Sequence, residues 1–196
     1  SRVAVYGQMD AGSAMGLFSA LHEALPSLEI VNEWGNTTLQ MAMATKDVDE
    51  VRRIRRMGQI TTAVVGQTAE FLVSHAVKDG VLVNKDGRPL TIGDVKERIN
   101  LWLAERGADN PHGTIFSIGR DAAVPHTSGN PRDVLRLGQT IIFDIYPCEA
   151  GGGYYYDLTR TWCLGYAPDE ALALYADVLA AYQAVERELR AGTPSR

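Results

Sequence analysis

"IIFDIYPCEAGGGYYYDLTRTW", residues 141–162, sets one acid, Asp144, inside an apolar, β-branched run, passes three consecutive glycines, and sets a second acid, Asp157, just before "LTRTW". Strand-like runs on either side of a Gly-rich turn predict an antiparallel hairpin. If the ribbon folds about the middle of "CEAGGG" (148–153), Asp144 stands directly opposite Asp157. Residues so placed share a face with their Cβ atoms ~4.5–5.5 Å apart, which presses two like charges together. The neighbours Ile142, Phe143, Ile145, Tyr155 and Leu158 predict a core-like setting with little water to screen them, so one carboxylate should have its pKa raised.

Three arrangements relieve such a pair. The acids can share a proton, face an arginine such as Arg160, or bind a divalent cation through hard oxygen donors. With strand alternation Arg160 points away from the face of Asp157, whereas Thr159 and Thr161 share it, where a hydroxyl can orient a ligating carboxylate from behind. A bulge in the glycine turn would shift the pairing.

Upstream, "GTIFSIGRDAAVPHTSGNP" (113–131) reads as a strand followed by a loop. "TIGDVKERINLWLAERGAD" (91–109) reads as a helix, with Thr91 as its N-cap, Asp94 three residues on, Val95, Ile99 and Trp102 on one face, and Gly107 as its stop. Between 46 and 77, Val48, Val51, Ile54, Met57, Ile60, Val64, Phe71 and Leu72 recur at helical spacing, and Asp47 with Glu50 forms a capping-box pattern. One long amphipathic helix follows, with Gly58 and Gly66 as candidate kinks; the arginines at 52, 53, 55 and 56 read as its solvated face. Downstream, Pro168 opens a last helix whose stripe is Leu172, Tyr175, Val178, Leu179, Tyr182, Val185 and Leu189, ended by Gly192.

The first forty residues read strand (2–7), helix (11–28) and strand (29–34). Gly7, Gly12 and Gly16 do not space as G-x-G-x-x-G, so a dinucleotide site is not expected there. Helices and antiparallel strands in separate blocks predict an α+β fold.

The chain has 196 residues, 45% hydrophobic and 22% charged, enough for a substantial core. A formal net charge of −5, with the basic residues scattered, provides no footprint for nucleic acid or an anionic membrane. Two cysteines, Cys148 and Cys163, build neither a disulfide framework nor a four-ligand zinc site. No apolar run approaches the ~18–20 residues of a bilayer span, so a cytoplasmic location is the expectation.

"GRDAAVPH" (119–126) followed by "LRLGQTIIFDIYPCEAGGGYYYDLTRTWCLG" (135–165) resembles the pita-bread metallopeptidases: methionine aminopeptidase, aminopeptidase P, prolidase and the non-peptidase creatinase. The resemblance spans roughly Lys46 to Arg196 and rests on a strand-borne Asp, a Gly-rich turn, then Asp-Leu-Thr-Arg-Thr. It departs from the family where "DIYP" and the long "EAGGGYYY" tip stand, which implies a subgroup with its own pocket.

The resemblance implies two divalent metal ions, manganese, cobalt or zinc, held by two Asp, one His and two Glu. Asp144 would bind one ion and Asp157 bridge both, while His126 in "AVPH" would contact the peptide substrate and help stabilise the tetrahedral intermediate. Without the family, His126 in a Pro-containing loop reads as an exposed or structural histidine; His22, His75 and His112 have no motif behind them.

Residues 1–40 resemble the end of the N-terminal creatinase-like α/β domain of the prolidase branch, and 41–196 the first part of the pita-bread catalytic domain. That branch implies hydrolysis of Xaa-Pro bonds and a homodimer. No histidine follows residue 170, and Glu170, Glu186 and Glu188 lie on the last helix. The expectation is therefore a chain truncated at both ends, short of three ligands, that binds metal weakly and is inactive alone. The rival readings are a non-catalytic pita-bread module that binds peptide in its cleft and a creatinase-like hydrolase of a small guanidino compound.

Overall fold

A computed structural model describes residues 1–33 and 35–192. Trp34, the last residue of the predicted second strand, and the tail from 193 onward lie outside the described residues. The chain divides into two compact units, Ser1–Val51 and the portion from Arg52 onward.

In the first unit, β1 (Arg2–Ala4) and β2 (Glu29–Val31) pair in parallel, Arg2 beside Glu29 and Ala4 beside Val31, with α1 (Ala11–Ala24) as the crossover. Parallel neighbours need such a connection. Asp10 caps α1 by accepting from the Ser13 amide at 3.0 Å. A short α2 (Thr38–Ala44) starts with a capping box between Thr37 and Gln40. The strand–helix–strand order matches the sequence reading, with each element shorter.

The long amphipathic helix is α3 (Val48–Val73), which the unit boundary cuts in its first turn. Its cap is reciprocal: the Glu50 amide donates to Asp47 at 2.8 Å and the Asp47 amide to Glu50 at 2.7 Å. It buries Met57, Gly58, Thr61, Val64, Thr68 and Leu72, a stripe three to four residues apart. The two buried threonines turn their hydroxyls to the Met57 and Val64 carbonyls, each at 2.8 Å, so neither polar group is stranded.

A tight hairpin, β3 (Ala76–Lys78) and β4 (Val81–Val83), turns through Asp79 and Gly80, both at positive φ. Helix α4 (Ile92–Glu105) begins with the Thr91/Asp94 capping box, buries Ile92, Val95, Ile99, Trp102 and Leu103, and ends before Gly107 at φ +70°. Then come β5 (Ala108–Asp109), β6 (Ile115–Ile118), a single 3-10 turn at Asp121–Ala123, β7 (Thr140–Ile145), β8 (Cys148–Glu149), β9 (Leu158–Cys163) and α5 (Asp169–Glu188).

Strands β6, β7 and β9 form an antiparallel sheet in that order, and β5 pairs with β8. Along β7 burial alternates: Ile141, Phe143 and Ile145 are buried, Thr140, Ile142 and Asp144 half-buried. The buried set joins Phe116 and Ile118 of β6, Met57, Val64 and Leu72 of α3, and Ile99 and Leu103 of α4 in one core. Each such large side chain contributes about 1.5–3 kcal/mol on full burial. Helices therefore cover one face of the sheet. The other carries Asp144. The α5 stripe forms as a helix, but its apolar side chains are exposed and none is buried. Among the described residues no helix is long and apolar enough to cross a membrane.

Candidate metal centre

Asp144 does not stand opposite Asp157. The β7–β9 register pairs Asp144 with Thr159, Phe143 with Arg160 and Ile142 with Thr161. The ribbon is longer than the sequence reading allowed, because Cys148 and Glu149 belong to the ladder as β8. Cys148 bridges to Tyr155, and the Glu149 amide donates to the Tyr154 carbonyl at 3.1 Å. The turn thus closes around Gly151 and Gly152, at φ +80° and +91°, a backbone that glycine adopts without steric cost. Moving the turn centre by one residue moves the partner of Asp144 by two, and a two-residue shift keeps the same face.

The two acids therefore still meet, diagonally instead of squarely. Asp157 stands next to Leu158, whose partner is Ile145, and so lies near Asp144; partial desolvation first, then the negative charge and hydrogen bonding of Asp144, push its pKa above the ordinary carboxylate value. The core-like setting expected for both is corrected: Asp144 is half-buried and Asp157 exposed, because no helix covers this face. Neither acid forms an ion pair among the described residues. Arg160 lies opposite Phe143 and turns its guanidinium to the Thr159 carbonyl at 2.8 Å, away from the acids.

Thr159 donates its hydroxyl to Asp144 Oδ1 at 2.6 Å. It thereby fixes one oxygen of the acid it faces. Thr161 lies one row further along the same face, opposite Ile142. On the other side of β7, Ile115 of β6 is the partner of Asp144.

His126 sits in the β6–β7 loop, exposed, at φ +62°. The Thr127 amide donates to the Val124 carbonyl at 3.2 Å, so Pro125 and His126 are the corner of a turn whose second corner position calls for positive φ. No hydrogen bond or ring contact joins His126 to either aspartate among the described residues. The next residues of the same loop lie against β6: the Phe116 amide donates to the Ser128 carbonyl at 3.2 Å, and Gly129, at φ +84°, leaves no room for a Cβ beside the Phe116 carbonyl.

Two features escaped the sequence reading. His112 lies between two tyrosine rings, Tyr146 and Tyr155, each centroid 6.0 Å away and tilted by 26° and 27°. Tyr146 follows Asp144 by two residues and Tyr155 precedes Asp157 by two. Arg53, assigned to a solvated face, instead makes a two-pronged ion pair with Glu149. The spacing of the tyrosines could have signalled the first; the second joins residues 96 apart and has no local signal. His22 ends α1, and His75 bonds the Phe71 carbonyl through Nδ1 at 2.7 Å.

Two neighbouring carboxylates with a hydroxyl behind one of them supply hard oxygen donors and an excess of negative charge. That set suits a divalent cation. Among the described residues no group of three or more His, Cys, Asp or Glu gathers as a metal site, so the pair is a partial donor set.

The family model for metallopeptidase family M24 matches residues 52–196. Curated proteins give no match. The fold is similar to that of X-Pro aminopeptidase from Thermotoga maritima, at TM-score 0.66 and 20% identity over 86% of this chain and 43% of that one. It is similar to prolidase from Pyrococcus furiosus, at TM-score 0.66 and 16% identity over 92% of this chain and 47% of that one. Proline aminopeptidase P II from Yersinia pestis aligns at TM-score 0.69 and 22% identity over 93% of this chain and 40% of that one. The chain thus spans less than half the length of these structures, and its architecture is the pita-bread fold.

Proposed function

The chain belongs to metallopeptidase family M24, and from that premise we propose that the protein carrying it hydrolyses Xaa-Pro peptide bonds with a pair of divalent metal ions held in part by Asp144 and Asp157. The diagonal placement of these two acids on the β7–β9 ribbon, neither of them in an ion pair among the described residues, is the observation that carries the reading. The names of the fold's solved relatives, X-Pro aminopeptidase, prolidase and aminopeptidase P, support the choice of bond.

In this reading Asp144 and Asp157 would supply part of the ligand set for the ions. Divalent ions in such a site supply hydroxide near neutral pH and polarise the scissile carbonyl. The protein's own part is orientation. Thr159 ties down one Asp144 oxygen, leaving the other for a ligand. Thr161 lines the same face, one row from the acids. His126, held outward at the corner of its turn, donates to the carbonyl oxygen as negative charge develops there.

Manganese, cobalt and zinc are the candidate metals. The partner is peptide, with neither nucleic acid nor membrane, and the protein acts as a cytoplasmic homodimer. The test is an assay of the complete gene product on Xaa-Pro dipeptides with each metal in turn. Turnover that is lost in Asp144→Asn and in Asp157→Asn, with circular dichroism unchanged, is expected. A gene product inactive with every metal would sink the reading and favour a peptide-binding module.

A further inference from the structure

We propose that Arg53 and Glu149 form a positioning clamp that pins the Gly-rich tip to α3 and so holds Asp157 against Asp144. The inference rests on the metal-site reading above and deepens it.

The starting point is an energetic problem. Two neighbouring carboxylates repel, and Asp157 lies just outside β9, beyond the last residue pair of the ladder. The backbone leading into it must be held from elsewhere, or it would relax away from Asp144. The tip is anchored at several points.

Arg53 Nε donates to Glu149 Oε1 at 2.9 Å and Nη2 to Oε2 at 2.5 Å, the parallel fork that gives arginine–carboxylate pairs their directionality. Glu149 Oε2 also accepts the Tyr154 amide at 3.0 Å, so one carboxylate grips both the α3 guanidinium and the far strand of the tip. The guanidinium carbon lies 4.9 Å from the centroid of the Tyr154 ring, adding a cation–π contact. Arg53, and next the Tyr154 amide, hold the Glu149 carboxyl below its ordinary value, so it stays ionised.

Gly153 fits because it has no side chain: a Cβ there would run into Glu149 Oε2 and come within 3.2 Å of Arg53 Nη2. One turn of α3 further on, Gly58 receives the Tyr156 ring, whose Cε2 would stand 2.7 Å from any Cβ at that position. From the opposite side Asp109 accepts the Gly151 amide at 2.8 Å. Tyr154 and Tyr156 are thus both seated on α3, and Asp157 is the next residue.

A surface ion pair that only added stability would not need this convergence. The side chain of Glu149 is 23% exposed and that of Arg53 53%, where an isolated pair adds little to stability. What the arrangement supplies is a fixed entry into β9.

The test uses the complete gene product and compares Arg53→Gln, Glu149→Gln, Gly58→Ala and the charge-swapped double variant Arg53→Glu/Glu149→Arg. Manganese affinity is read by titration calorimetry. The single variants are expected to bind about tenfold more weakly, the scale seen when groups behind a metal ligand are removed, and the swapped pair to recover part of that loss. A brace with no positioning role would instead lower the thermal midpoint and leave the affinity of the folded protein unchanged, which overturns the proposal.

A second readout needs no metal: nuclear Overhauser contacts between Asp144 and Thr159, with exchange protection of the Leu158 and Thr159 amides. Their weakening in Arg53→Gln supports the clamp; their persistence overturns it. If the unmodified protein binds no manganese, the metal reading fails, and the second readout still decides the clamp.

Discussion

Thr159 donates a hydrogen bond from its hydroxyl to Asp144 Oδ1 at 2.6 Å across the β7–β9 ladder, and does so as the residue directly opposite. The bond engages one of the two Asp144 oxygens. Replacing Thr159 by valine keeps the β-branched shape on an exposed strand position and removes only the donor. Stability should change by less than about 1 kcal/mol, since a neutral partner on an exposed face leaves no buried group stranded. Manganese affinity, measured by calorimetry, should fall about tenfold, and Thr159→Ser should restore most of it. Equal affinity in Thr159→Val would show that the hydroxyl does not orient a ligand.

Asp157 carries its charge at a cost in the metal-free protein, and the sign of the pH dependence follows. Desolvation and the Asp144 charge raise its pKa in the folded state. The folded protein therefore holds this proton more tightly than the unfolded chain. The penalty is absent below the ordinary carboxylate pKa, grows as pH climbs through the raised value, and is complete at neutral pH. Asp157→Asn removes it: the metal-free variant should melt slightly higher at pH 7, by on the order of 0.5 kcal/mol for so exposed a pair, and equally at pH 3. Added manganese should stabilise the native protein and leave the variant unmoved. A variant that melts lower at pH 7 in the absence of metal would contradict the repulsion.

How much of this was legible beforehand depends on the range of the interaction. Helices α3 and α4 were readable because spacing, capping boxes and the Gly107 stop are local signals. The hairpin and the shared face of its acids were readable because alternation depends only on parity. The register was not. Whether Cys148 and Glu149 belong to the turn or to the ladder is decided by β5 and by Arg53, far away in sequence, and no pattern within 141–162 contains that information. The same distance hid the aromatic stack on His112, which draws one ring from each side of the tip.

Gly129 ties the His126 loop to the sheet, at φ +84° and with the Phe116 carbonyl where a Cβ would go. Gly129→Ala meets both the left-handed backbone and the close approach, so it should destabilise by about 2 kcal/mol or more. Chemical denaturation measures this directly. Since the displaced segment follows His126 by three residues in the same loop, turnover by the complete gene product should fall further than its folded fraction does. A variant within 0.5 kcal/mol of the parent, the usual scatter of innocuous surface changes, would mean that the loop is not held there.

His126 provides the sharpest separation of stability from function. At φ +62° its backbone occupies the left-handed region, where a non-glycine residue is held at a cost on the order of 1 kcal/mol, while its ring is exposed and forms no hydrogen bond among the described residues. A glycine there relieves the strain but adds freedom to the unfolded chain, which offsets part of the gain. His126→Gly should therefore be as stable as the parent or up to about 0.5 kcal/mol more stable. If the imidazole donates to the developing oxyanion, the same change should lower kcat on Xaa-Pro dipeptides about 100-fold, with KM moving less. His126→Asn, which tolerates the left-handed backbone and keeps a donor of different reach, should match the parent in stability and keep only part of kcat. Unchanged kcat in His126→Gly would return this residue to an ordinary turn position, and the strain would then need another explanation.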